Sequence, residues 1–557
     1  MGPSGPSWGV AGLLTRGSGI VRPVTPYAPR HADRPAREGT EPAIPLVLPS
    51  PRSAPGPVAP APPPAAAPSP RALDSRALAV VAPATLALAL GVWGIRRGGT
   101  LWGDEAVTYE VAHRAPWQIW HTAGQVDAVH GLYYLLMHGA FGLWDGGLVA
   151  LRLPSVLAVA AASAGVALLG RALAGERAGL LAGLVLPLLP AVQRYAQEGR
   201  SYALVCALVT WASWLLVRAL GRPSRRRRWA AYAGVLLTAC LLHEFAVLTL
   251  FAHGVTVVCS GASRRTVRAW AAAAGAVGAG LLPLALFSTT QSAQVDWIGA
   301  PGVRHVLGFA VVSAVGVVCA RTAPRGSGAV ARHRPAAPPV PRLETLALPL
   351  LILPSALLMA LTPLRPFYVE RYVLSYTVGL ALLLGAALDR CRTPGDAARA
   401  RRRAVSVLAV AAALAALCPV GTHLRTPQSR QNDATAVARA VRESARRGDG
   451  LLFMPARRRV WTLARPGEFR GLADLALDRS PVASHTLHGT ELPAGRVRAR
   501  MLAARRIVAV RDLPGQPLEA TGPEAVKRAV LRTYFEECGG RTVTRARITV
   551  HARRGHC

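Results

Sequence analysis

The chain has 557 residues, 51% of them hydrophobic, with 65 basic and only 29 acidic residues, for a formal charge of +36. Several windows reach the roughly 20 apolar residues that cross a bilayer, which excludes a soluble globular protein. The charge is almost all arginine, with Lys527 the only lysine. In so Ala-, Gly- and Pro-rich a chain this reads as GC-rich coding plus topology signals, so no nucleic-acid partner is expected.

Residues 1–75, as in "PRSAPGPVAPAPPPAAAPSP", bury too little apolar surface to fold and read as a disordered cytoplasmic tail. They lack the placed apolar core of a signal peptide. The first span is predicted at Ala77–Trp93 and opens a polytopic region, 76–420. The loop after it, 95–147, is far longer than a connector and carries "DEAVTYE", "WQIWH" and "DAVHGLYYLLMHGAF". Its Trp117, Trp120, Tyr133 and Tyr134 suit helices lying at the membrane interface.

Further spans are predicted at 148–169, 177–193, 201–219, 230–242, 245–259, 269–287, 303–319, 343–361, 371–388 and 404–419, about eleven in all. Arginine clusters at Arg225–Arg228, at Arg264, Arg265 and Arg268, across "RTAPRGSGAVARHRPAAPPVPR" and at Arg399–Arg403 then share one side. Because cytoplasmic loops are enriched in arginine, the N-terminus is cytoplasmic, and Asp104, Glu105 and everything beyond residue 421 lie outside. Residues 421–557 mix a helical pattern with strand-like runs such as "GLLFMP" and "RIVAV", a small extracytoplasmic α/β domain. Cys538 and Cys557 fall there, either as a disulfide or as two free thiols.

The acids after the first span, "DAVHGLYYLLMH", "LRLPSVLAVAAASAGVALLGRAL", "YAQEGRSYAL" and "PFYVERYVLSYTVGLALLL" occur in this order, each on the expected outer side. Together they resemble the GT-C glycosyltransferases, in the branch of protein O-mannosyltransferases and of lipid A aminoarabinose or galacturonic acid transferases. The resemblance covers roughly residues 77–390. It implies a membrane all-α, polytopic GT-C fold and a cell-membrane location. It also implies a polyprenyl-phosphate sugar as donor, mannose among the candidates, and a glycan, lipid or protein acceptor outside the cell. Where the family often has His-Pro-Pro ahead of the tyrosines, this chain has Ala128-Val129-His130, which leaves the acceptor open.

Such a transfer needs a base for the acceptor hydroxyl and positive charge for the departing phosphate. Asp104 is the expected base and Glu105 the alternative, against the plainer reading that the pair caps a helix. Asp127 and His130 are candidates to orient the acceptor. Arg200 and Arg371, at predicted outer helix ends, are candidates for the donor phosphate, with Glu198 and Tyr372 beside them and Tyr195 close by. Arg152, deeper in the second span, is a further phosphate candidate that needs a partner or a wet cavity. His243 resembles the position of a family histidine, and Trp297 reads first as an interfacial anchor and second as a sugar platform. Clustered carboxylates leave room for a divalent metal, although no His/Cys ligand spacing supports a dedicated site. A transporter, which should show paired halves and broken helices, and a non-catalytic envelope scaffold are the rival classes.

Overall fold

The computed structural model describes residues 70–321, 341–390 and 412–557, apart from 413, 414 and 464. Residues 1–69 of the expected tail, most of the predicted span 404–419 and the cluster Arg399–Arg403 lie outside the described residues. The first helix, α1 (Pro70–Val92), starts inside the segment expected to be tail.

Within lipid every backbone group must be satisfied inside its own segment, so the apolar windows fold as helices. In the loop after α1 the chain forms α2 (Gly103–Ala112), α3 (Pro116–Gln125) and α4 (Gly131–Leu143), the short helices expected there. Then come α5 (Leu148–Ala174), α6 (Glu176–Val185), α7 (Pro190–Ala196), α8 (Tyr202–Leu220) and α9 (Arg226–Leu242). The series continues with α10 (Thr249–Cys259), α11 (Arg264–Thr290), α12 (Val303–Arg321), α13 (Leu343–Ala360) and α14 (Tyr376–Arg390).

About eleven spans were expected, one of them mostly outside the described residues. Among the described residues six helices are long and apolar enough to cross a membrane, and seven if α6 and α7, bent by 63° at Leu189, count as one. Helices α9, α10 and α14 fall short because the chain breaks beside them. His243 leads into a 3-10 turn at Glu244–Leu248, and a second turn at Glu370–Val373 uses up the start of the span predicted at 371–388. Both interruptions carry residues that reach the functional cavity.

Small residues let the helices approach closely, as membrane packing favours. A Cβ at Gly179 of α6 would lie 2.4 Å from the Ala167 carbonyl oxygen of α5, and one at Gly385 of α14 would lie 2.4 Å from the Ala182 nitrogen. Helices α11 and α12 are the most exposed, with 17% and 11% of their apolar windows buried, so they present most of their surface to lipid.

Residues 434–557 form a small sheet domain. Strands β1 (Gly450–Met454), β2 (Ala473–Asp474), β5 (Arg506–Arg511), β6 (Phe535–Val543) and β7 (Ala546–Arg553) make a five-stranded sheet of order β2-β1-β5-β7-β6, while β3 (Leu477–Arg479) and β4 (Thr490–Glu491) pair separately. β1 lies parallel to β2 and β5, and its five residues are all buried, as a run covered on both faces should be. Cys538 and Cys557 are joined as a disulfide.

This domain is stitched to the start of α2. The Ala434 amide donates to the Leu101 carbonyl at 2.8 Å, and the Gly103 amide donates to Asn432 Oδ1 at 2.8 Å.

Candidate active site

Asp104 and Glu105 open α2 and part at once. Glu105 points inward and is completely buried. Arg152 grips it in bidentate fashion, Nε to Oε1 at 2.8 Å and Nη2 to Oε2 at 2.7 Å, and Arg97 stands 4.0 Å away. Glu105 also accepts the Gly199 amide at 3.1 Å and the Trp102 amide at 3.2 Å, the latter tying down the first turn of its own helix. Burial alone would raise its pKa. Arg152, Arg97 and the Gly199 amide outweigh burial and bring it to about 2. The remaining Arg152 donors go to the Ile95 and Thr100 carbonyls, both at 2.6 Å.

Glu105, expected as the alternative base, and Arg152, expected as a phosphate ligand, meet here. They satisfy each other in the interior, and neither lines the cavity.

Asp104 points the other way, into a cavity of about 520 Å³. Its carboxylate accepts no hydrogen bond among the described residues, and its nearest cation is Arg371, with Nη2 3.9 Å from Oδ2. Capping, the plainer reading of the acidic pair, belongs to Glu105 alone.

Arg371 is placed by the turn Glu370–Val373. Its Nε donates to the Tyr202 hydroxyl at 3.1 Å, and its guanidinium lies 5.2–5.8 Å from the ring centres of Trp297, Tyr372, Trp102 and Tyr202. Aromatic faces hold a guanidinium by cation–π attraction while leaving the edges of its fork free. Trp297 is thus a cavity wall against Arg371.

A second group converges on Arg200. Asp127, held in the left-handed region at φ 61°, bonds His130 Nδ1 at 2.7 Å and receives the Tyr134 hydroxyl. On the far side of the imidazole, Arg200 Nη2 lies 2.8 Å from His130 Nε2. An arginine can only donate, so Nε2 must be bare and Nδ1 must carry the proton that Asp127 accepts. Burial would raise the Asp127 pKa, but His130, Arg200 and Tyr134 outweigh it and hold the carboxyl well below the usual carboxylate range.

His243 and Tyr372 complete this wall, their rings 4.6 Å apart. Burial, foremost, and then the nearby His130, Arg200 and Arg371 push His243 well below the usual imidazole range.

The remaining candidates fall outside. Tyr195 packs its ring 5.8 Å from Tyr202 behind the cavity wall. Glu198, expected beside Arg200, pairs instead with Arg430 at 3.2 Å and Arg194 at 3.8 Å.

Sequence reasoning missed three contributors. Arg365 lines the cavity, bonded to Asp296 and to the Ser292 carbonyl, and its position in "PLRPFYVERY" beside Arg371 was the available signal. Gln291 accepts the Ala128 amide and donates to the Ala123 carbonyl, both at 2.9 Å, fixing the turn that carries Asp127. Leu487 reaches the cavity from the C-terminal domain, and nothing local in the sequence marks it. Among the described residues no group of three or more His, Cys, Asp or Glu side chains could hold a metal ion.

Residues 132–290 match the family described as dolichyl-phosphate-mannose-protein mannosyltransferase. The fold is similar to that of ArnT from Cupriavidus metallidurans in the apo state, with TM-score 0.53 and 14% identity, covering 85% of this chain and 97% of that one. ArnT of the same organism bound to undecaprenyl phosphate gives TM-score 0.47 and 12% identity over 85% and 97% of the two chains. The Archaeoglobus fulgidus oligosaccharyltransferase in complex with Zn and sulfate gives 0.42 and 12% over 77% and 67%. A search of curated protein sequences found no match.

Proposed function

We propose that this chain, a membrane glycosyltransferase of the GT-C fold, transfers mannose from a polyprenyl-phosphate donor to a hydroxyl group outside the cell. The observation that carries the reading is that Asp104, with no hydrogen bond to its carboxylate among the described residues, lines the cavity beside the caged Arg371, 3.9 Å away. One group can accept a proton and the other can hold a phosphate, at a spacing that places both on one reacting centre.

In this reading Asp104 takes the proton of the acceptor hydroxyl as its oxygen attacks the anomeric carbon. The bond from that carbon to the phosphate oxygen breaks, and the phosphate leaves with the electron pair. Arg371 receives the developing charge, with Arg200 beside it. A single displacement inverts the anomeric centre and forms no covalent intermediate. Asp127 and His130 act as positioning residues, since the tautomer they fix leaves an acceptor in front of Arg200.

The family match supports mannose as the sugar. Orientation has a physical support of its own. Helix α9 starts at the cluster Arg225–Arg228 and ends at His243, and α11 starts at Arg264 and ends beside Gln291. The cavity is therefore at the helix ends remote from the arginines, which is the outer side if those arginines are cytoplasmic.

The test is transfer by the purified chain in lipid nanodiscs supplied with radiolabelled polyprenyl-phosphate mannose and extracts of the cell envelope. A labelled product from the wild type, absent with Asp104→Asn, is expected. Equal labelling by both proteins would remove Asp104 from the reaction.

A further inference from the structure

A second cleft, of about 410 Å³, opens on the C-terminal domain and shares no residue with the cavity above. Four arginines line it, Arg442, Arg446, Arg447 and Arg470, with a single acid, Glu468. The volume is within the range of about 300–1,000 Å³ typical of small-molecule sites.

Two turns bring these arginines together. Arg446 and Arg447 follow the helix Ala434–Ser444 and lead into Gly448, at φ 92°; Arg470 precedes Gly471, at φ 82°. The Gly448 amide donates to the Gly471 carbonyl at 2.9 Å and locks one turn to the other. A Cβ at Gly471 would stand 3.1 Å from Arg447 Cγ, so glycine there lets the Arg447 stem lie across the turn. Half-buried Ala445 and Leu472 give the cleft an apolar floor.

Charge in the cleft is not balanced from within. Glu468 is committed to Arg442 at 2.8 Å. Among the described residues no acid pairs with Arg446, Arg447 or Arg470, whereas Arg457, Arg458, Arg459 and Arg506 of the same domain each hold a carboxylate. Compensation of a helix C-terminus accounts for basic residues after Ser444. It does not account for Arg470, which arrives from a separate turn.

We propose that this cleft binds a phosphate-bearing group, with Arg446, Arg447 and Arg470 as ligands to its oxygens. The guanidinium fork matches phosphate geometry, and the apolar floor suits the carbon skeleton attached to the ester. The group is supplied either by an anionic lipid headgroup or by a phosphodiester on a soluble glycan. The inference is independent of the transfer reaction, because the two sites share no side chain.

The experiment measures calorimetric binding of inorganic tripolyphosphate to the full chain in phosphatidylcholine nanodiscs at fixed salt. Replacing Arg446, Arg447 and Arg470 together by alanine should weaken binding on the order of 100-fold, as the loss of several charge-assisted hydrogen bonds implies. The control variant removes the same charge elsewhere in the domain, at the exposed Arg496, Arg505 and Arg532, and should stay within about twofold of wild type if binding is local rather than a diffuse field. Glu468→Gln frees Arg442 and should tighten binding, a direction that misfolding does not produce. Equal weakening by the two triple variants, or no binding by wild type, overturns the proposal. Repeating the titration in phosphatidylglycerol nanodiscs identifies the source: a headgroup already in the cleft abolishes tripolyphosphate binding, and a soluble ligand leaves it in place.

Discussion

Asp104 and Glu105 are chain neighbours whose side chains are 36% and 0% exposed, the first facing a cavity and the second sealed against Arg152. Asp104→Asn keeps the shape and removes only basicity. Turnover should fall about 10²–10⁴-fold, as for loss of a positioned general base, while thermal stability is unchanged. Steady-state rates and a melting curve of the same preparation check both halves. Normal turnover in Asp104→Asn would end its assignment as the base.

Glu105→Ala should do the reverse. It leaves Arg152 buried without its partner, which costs about 3–5 kcal/mol and should be read in the melting curve before any rate is measured.

Acid should reveal the same carboxylate. Its pKa is lowered on folding, from 4.5 to about 2, so the stability it contributes is fully present above 4.5 and is lost as pH falls toward 2. Melting temperature measured from pH 6 to pH 3 should drop more steeply for wild type than for Glu105→Gln. Parallel curves would mean that the pair contributes nothing to acid sensitivity.

Arg371→Lys keeps the charge and loses the fork that the four rings hold open. Transfer should fall about 10²–10³-fold, the size of effect seen when a donor to developing charge is removed. Insertion and stability should hold. A lysine variant with full activity would move the phosphate contact to Arg200 or Arg365.

Asp127→Asn tests the tautomer argument. An asparagine amide can donate to His130 Nδ1, which drives the ring proton to Nε2 and sets it against the Arg200 donor. Catalytic efficiency with donor lipid should fall about 10–100-fold, in line with one lost charge-assisted hydrogen bond. The loss should appear mainly in the concentration of donor lipid required. A drop in the acceptor dependence alone would instead assign Asp127 to the acceptor.

The parts of this molecule visible in its sequence are those set by local pattern. Apolar windows gave the helix positions, the aromatic and acidic content of 95–147 gave the helical loop, and strand-like runs gave the C-terminal sheet. Asp104, His130, Arg200 and Arg371 were legible because ionisable side chains next to apolar helices are costly and therefore conspicuous. What was not legible depends on tertiary pairing. Glu105 and Asp104 are adjacent acids until Arg152, on another helix, selects one of them. The pairing of Glu198 with Arg430 spans 232 residues, and the breaks at His243 and Glu370 shorten helices that composition alone would let run on.

Leu487 packs against the cluster of Val111, Ile119 and Tyr134 from the far end of the chain, while Arg114 donates to the neighbouring Thr486 carbonyl at 2.9 Å. The wall of the cavity is thus finished by the last quarter of the polypeptide. During synthesis the apolar helices enter the bilayer first, and the pocket stays open on that side until the C-terminal sheet domain has folded and docked. Ribosomes that stall or proteases that trim soon after the last membrane helix would leave a fully inserted chain with an unfinished pocket. Maturation of this protein therefore ends with a folding event that membrane insertion alone does not complete.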